Sequence, residues 1–160
     1  MREVDRILDQ LRRAFEGEAW HGPAVMEILK DVTAEMASAR PVDGVHSIWE
    51  LTLHINVWER AVLRRLRGDR ALIYNTEEDW PPDREQNEAA WHATLQTLVL
   101  TNEELRAEIG KLDDRRLDEP ILDEMPSVYV TLHGVIQHDI YHAGQIALLK
   151  RAILASREAT

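Results

Sequence analysis

The chain has seven histidines and no cysteine, so soft-ligand metal chemistry here rests on imidazole, and disulfides, thiolate sites and cysteine nucleophiles are excluded. His138 and His142 stand four residues apart. On a helix that spacing puts their Cβ atoms about 5–6 Å apart on one face, close enough for two imidazoles to share an ion. Both fall on an apolar stripe of Leu132, Val135, Ile146, Leu149 and Ile153, where the periodicity would otherwise place Leu or Ile. A buried, unpaired imidazole is costly, so two of them in a core require a partner. His54 supplies a third imidazole, three residues after Leu51 and four before Trp58 on the apolar side of another helical segment. From spacing alone two readings stand: a divalent metal site, or core histidines hydrogen-bonded to one another or to water. The HExxH protease pattern is absent, because Asp139, Ile140 and Tyr141 separate the pair.

The elements that must position these residues read as helices throughout. Val4, Ile7, Leu8, Leu11 and Phe15 line one face of the first; Gly17 weakens it and Trp20-His21-Gly22-Pro23 interrupts it before Val25, Ile28, Leu29 and Val32 resume the stripe. Residues 33–45 read as a connector, with Pro41 and Gly44 as breakers. Ser47 and Glu50 form a capping box that starts a second long helix through Ile48, Leu51, Ile55, Trp58 and Val62, and Gly68 stops it. A third carries Trp91, Leu95, Leu98, Asn102, Leu105 and Ile109, and the fourth carries the histidine pair. Only Val128-Tyr129-Val130 has the look of a strand. The expectation is an all-α, four-helix bundle forming one domain over residues 1–160. Two connections, 68–83 and 110–130, are long; such a link suits a crossover between parallel helices or a loop covering one end.

Around the triad several residues invite a role. Glu50, one turn before His54, could orient it, although capping is a sufficient explanation. Gln137, Asp139, Tyr141 and Gln145 flank the pair; Asp139 is about 100° round the helix from His138 and is expected to face solvent or a neighbouring helix. His21 and His133 are pocket candidates, with helix-start or packing roles the more economical reading. His46 and His92 read as surface or cap histidines, and Trp49, Trp58 and Trp91 as core, with one able to wall a pocket.

The motifs Ala19-Trp20-His21-Gly22-Pro23, His46-Ser47-Ile48-Trp49-Glu50-Leu51-Thr52-Leu53-His54 and Leu132-His133-Gly134-Val135-Ile136-Gln137-His138-Asp139-Ile140-Tyr141-His142-Ala143-Gly144-Gln145-Ile146 resemble those of the DinB family. The resemblance covers nearly the whole chain. It implies a four-helix bundle whose second and third helices run parallel through a long crossover. It also implies one divalent metal ion held by His54, His138 and His142, and frequent homodimers. Some proteins similar to this one transfer a low-molecular-weight thiol to electrophilic small molecules, or isomerise a substrate with the thiol's help.

Three neutral imidazoles with an open position are the catalytic arrangement of zinc, and imidazole also suits nickel and iron; zinc or nickel is the foremost expectation. A formal charge of −10 opposes nucleic-acid binding. The basic cluster Arg60, Arg64, Arg65, Arg67 and Arg70 lies at a helix end, where the macrodipole favours cations, and this explains it more simply than ligand recognition. No leader-like or membrane-spanning apolar run is evident, so the expected location is the cytoplasm and no membrane partner is expected. The functional expectation is a metal-dependent transferase acting with a thiol on a small molecule, or a hydrolase. The alternative is a non-catalytic metal- or ligand-binding stress-response protein.

Overall fold

The computed structural model describes residues 1–82 and 85–158. Asp83, the last residue of the expected 68–83 connection, lies outside the described residues, as do the last two of the expected domain. Among the described residues there are six α-helices and no strand: α1 (Glu3–Phe15), α2 (Val25–Leu29), α3 (Ala34–Ser38), α4 (Ile48–Leu66), α5 (Glu88–Ile109) and α6 (Val128–Glu158). A 3-10 helix, Asp114–Asp118, precedes α6. The four long helices α1, α4, α5 and α6 share a core, and the short ones close its ends.

Local chemistry fixes most boundaries. The Ser47 hydroxyl accepts from Glu50 N, and the Glu50 carboxylate accepts from Ser47 N at 2.8 Å, completing the box at the start of α4. Gly68 ends that helix with φ +96°, a conformation that only glycine adopts without strain. α1 stops at Phe15, before Gly17 with φ +151°.

Two expectations needed correction. Residues 33–45 are not wholly a connector: the Thr33 hydroxyl caps α3 by accepting from Met36 N, and Ala34, Met36 and Ala37 are buried in the core. Val128-Tyr129-Val130 is the first turn of α6 and no strand. Its β-branched residues are overruled by Ser127, whose side chain accepts from Val130 N and whose carbonyl accepts from Thr131 N.

Cross-contacts give the packing of α4 on α5. Trp49 Nε1 donates to Thr94 Oγ1, Asn102 Nδ2 donates to Glu59, and Arg67 pairs with Glu104 and Glu108. These pairs advance together along both helices, so the two run in the same sense. α4 also packs against α6, and the histidines of the two helices meet across that seam.

The centre of the bundle is polar at one point. Glu59 on α4, Asn102 on α5 and Asp139 on α6 are all fully buried, and Asn102 Nδ2 donates to Glu59 Oε1 at 2.6 Å. Asp139 thus faces neighbouring helices, one of the two directions expected of it. Burial pushes the Glu59 carboxyl well above its usual range, reinforced by the facing Asp139; burial raises Asp139 as well. Keeping at least one of the two carboxyls protonated limits the charge buried in the core. A raised folded pKa contributes stability below the unfolded value, about 4, that is lost as pH rises toward the folded value. Glu59→Gln keeps the shape and removes that loss. Its Tm advantage over the parent is expected to grow from about pH 5 to about pH 8. An offset that does not change with pH would refute a protonated Glu59 in the core.

Candidate metal centre

His54 projects from the middle of α4, and His138 and His142 from successive turns of α6. One ring nitrogen from each lies within 4.8 Å of the others. His54 Nε2 and His138 Nε2 are 3.1 Å apart, and the His142 ring sits 4.4 Å from that of His138 and 4.8 Å from that of His54, centroid to centroid. Zinc–nitrogen bonds of about 2.0–2.1 Å at a tetrahedral angle set ligand nitrogens about 3.3 Å apart, so the spacing suits a small divalent ion.

The ring orientations fit as well. His54 Nδ1 lies 2.6 Å from the backbone carbonyl of Asp79, which can only accept, so Nδ1 carries the proton and Nε2 a lone pair. His142 Nδ1 donates to Gln145 Oε1 at 2.7 Å, again turning Nε2 inward. His138 then donates from Nε2 to His54 Nε2, and its own buried Nδ1 has no partner. Holding a cation here requires the His138 proton to move to Nδ1.

The long 68–83 connection, expected as a crossover or a loop covering one end, holds His54 in place through Asp79 and Trp80. Trp80 lies flat on the imidazole, 3.7 Å between centroids and 5° between planes, and His46 covers the other face of Trp80 at 3.6 Å and 4°. The Asp79 carboxylate accepts from Trp58 Nε1 at 2.9 Å and from Asn75 N at 3.3 Å, fixing the carbonyl that orients His54. Glu50 does not take that part: it accepts from Ser47 N, Arg40 and His46. His46, read as a cap-region residue, therefore has a second contact in the stack.

Other candidates distribute plainly. Trp58 walls the site, whereas Trp49 and Trp91 are buried in the core, with Trp91 Nε1 donating to Val32 O. His21 and His92 are exposed, and Gln137 points to solvent. His133 packs on Tyr129 and does not line the cavity. Tyr141 does line it, standing exposed at the rim with Tyr74. The cavity itself measures about 710 Å³, within the range of small-molecule sites, and its walls are mostly apolar. Asp79 is its one acidic lining residue among those described.

Burial pushes His138 and His142 down to about 4, and lowers His54 against the opposing pull of its bond to Asp79. All three are neutral, ligand-competent bases at neutral pH. A family model of the DinB superfamily matches residues 19–146. The chain belongs to the DinB superfamily. No curated protein and no solved structure matched it.

A depressed folded pKa means that the stability contributed is complete above the unfolded value, about 6.5, and is lost as pH falls toward about 4. In metal-free protein, long-range 1H–15N NMR at about pH 7.5 should show all three rings neutral, with protons on His54 Nδ1, His142 Nδ1 and His138 Nε2. A charged ring at that pH, or the opposite tautomer at His54, would contradict the geometry.

Proposed function

We propose that this protein binds one divalent metal ion, zinc or nickel, through His54, His138 and His142, and uses it in a transfer reaction of a low-molecular-weight thiol with a small molecule. The observation that carries the reading is the convergence of three inward Nε2 atoms, two of them oriented by hydrogen bonds at Nδ1, at one end of an apolar cavity. An ion so held keeps its full charge and would lower the pKa of a thiol or a water entering the open position.

The surrounding residues favour the thiol over hydrolysis. A hydrolase needs a carboxylate or imidazole free to take a proton from water. Asp79 is committed to Trp58 and the Asn75 amide, and Glu59 and Asp139 are sealed in the core. A thiol needs no such base, because the metal's charge alone favours the thiolate. Trp58, Trp80 and Val135 keep the reacting end dry and strengthen every charge interaction within it.

The alternative of a non-catalytic metal- or ligand-binding stress-response protein shares the site and differs only in lacking turnover. A homodimer is part of the same proposal, supported by exposed Tyr129, Val130, Tyr141 and Leu148 along α6. In the described residues no helix is long and apolar enough to cross a membrane.

Elemental mass spectrometry of untagged protein is expected to find about one zinc or nickel per chain, absent when His54, His138 and His142 are all alanine. An apo protein that takes up no ion on reconstitution would sink the proposal. Loss of thiol transfer in a folded His142→Ala variant would separate catalysis from simple binding. Asp79→Ala, which removes the carboxylate 3.3 Å from His54 Nδ1 together with its bonds to Trp58 and Asn75, should weaken zinc binding about 10- to 100-fold in chelator competition at unchanged helix content. Unchanged affinity would show that the loop does not orient His54.

A further inference from the structure

α4 presents His54, Trp58 and Arg65 to the same cavity, at intervals of four and seven residues along one helix face. Trp58 stands between the other two. Its ring lies 5.6 Å from the His138 ring and 5.6 Å from Arg65 Cζ, which sits over the indole as a cation–π contact. One indole therefore contacts both the triad and the guanidinium.

Arg65 differs from its neighbours in the basic cluster. Arg64 pairs with Asp69 and Glu78, Arg67 with Glu104 and Glu108, and Arg70 with Glu124. Those residues are explained by the helix end and by surface ion pairs. Arg65 is half-buried, and among the described residues no carboxylate lies within ion-pairing distance of it. Its Nε and Nη2 donate to the carbonyls of Arg70 and Ala71 at 3.3 and 3.0 Å, which hold the fork still without neutralising it. The chain carries ten more acidic than basic charges, so acid partners are abundant, yet this cation lines a cavity whose other walls include Val62, Ile121 and Met125. A fixed, un-neutralised guanidinium in an apolar cavity is a receptor for a planar anion.

We propose that Arg65 is the anion-recognition residue of this cavity, and that the molecule bound there has an apolar body, about one or two rings long, carrying a single carboxylate or similar planar anion. The proposal rests on the metal reading only for which end of the molecule reacts; the contact with Arg65 needs no metal. It places the anion at Arg65, the apolar body along Trp58, and the reacting end at the triad. Substrates of this class are distinguished from neutral isosteres by the loss of one charge-assisted hydrogen-bond pair.

The test is calorimetric titration of the full-length chain, metal-free and with one equivalent of zinc, against 2-naphthoate and the neutral isostere 2-naphthamide. In metal-free protein the carboxylate is expected to bind at least on the order of 10-fold more tightly than the amide. Arg65→Gln should abolish the preference, Arg65→Lys should keep part of it, and Arg64→Gln should leave it intact. Independently of any variant, the assigned Arg65 Nε–H resonance should shift with naphthoate and not with naphthamide. Equal affinity for the two probes, no naphthoate binding at millimolar concentration, or a preference that survives Arg65→Gln overturns the proposal. Zinc affinity measured on the same variants separates the two readings. Zinc uptake without the preference defeats only the role of Arg65, and the preference without zinc uptake defeats only the metal site.

Discussion

The structure depends on one seam, where α4 and α6 bury polar side chains against each other. His138 and Asp139 are adjacent in sequence and leave α6 in different directions. His138 meets His54 at the cavity wall, while Asp139 meets Glu59 in the core. His54 and Glu59 are five residues apart on α4, so the two contacts clamp the helices at two points more than one turn apart. A slide of either helix by one residue would break the His54–His138 contact and the Glu59–Asn102 bond or part the facing carboxyls, at a cost of about 1–3 kcal/mol per neutral buried group left without a partner. Apolar packing alone would tolerate such a slide far better. The polar seam therefore specifies the register that brings three imidazoles to one point.

How much of this was legible in the sequence follows from the range of each interaction. The histidine triad could be read because two of its members share a helix and all three stand where an apolar stripe calls for Leu or Ile. The capping box at Ser47 and Glu50 and the stop at Gly68 are local, and the sequence carries them in full. Glu59 could not be read. It lies about 140° round the helix from His54, on what looks like a polar face, and only its meeting with Asn102 and Asp139 shows that this face is interior. Asp79 and Trp80 were equally hidden, because their role depends on where a long connection lands. That landing is set by tertiary contacts such as buried Ile73 and the bonds of Asp79, which no periodicity encodes. The one available signal was compositional: a tryptophan followed by two prolines is a poor choice for a solvated linker.

The stack of His46, Trp80 and His54 shows how that loop does its work. An imidazole packed flat against an indole cannot rotate about its Cβ–Cγ bond without losing the contact over its whole face, and the Asp79 carbonyl fixes which edge points outward. Together they define one ring plane and one tautomer. His142 is fixed differently, by Gln145 one turn along its own helix, which ties its orientation to α6 and not to the loop. His138 has no partner at Nδ1. It is the one member free to change which nitrogen carries the proton, and the helix backbone holds its position while it does so.

This division has a consequence for the chemistry the cavity can support. Two preset imidazoles and one adjustable one can accept a cation with a single proton relocation, so the protein need not reorganise its walls to load the site. On the proposed reading the walls then serve a second task, discrimination among small molecules. They are apolar along their length, with the triad at one end and a half-buried guanidinium beyond the indole. An apolar cavity alone distinguishes ligands weakly, about 1–3 kcal/mol per methylene, whereas a fixed charge without a partner rejects the ligand that fails to supply one. On that reading, the placement of Arg65 does more to set which molecules enter than the size of the cavity does.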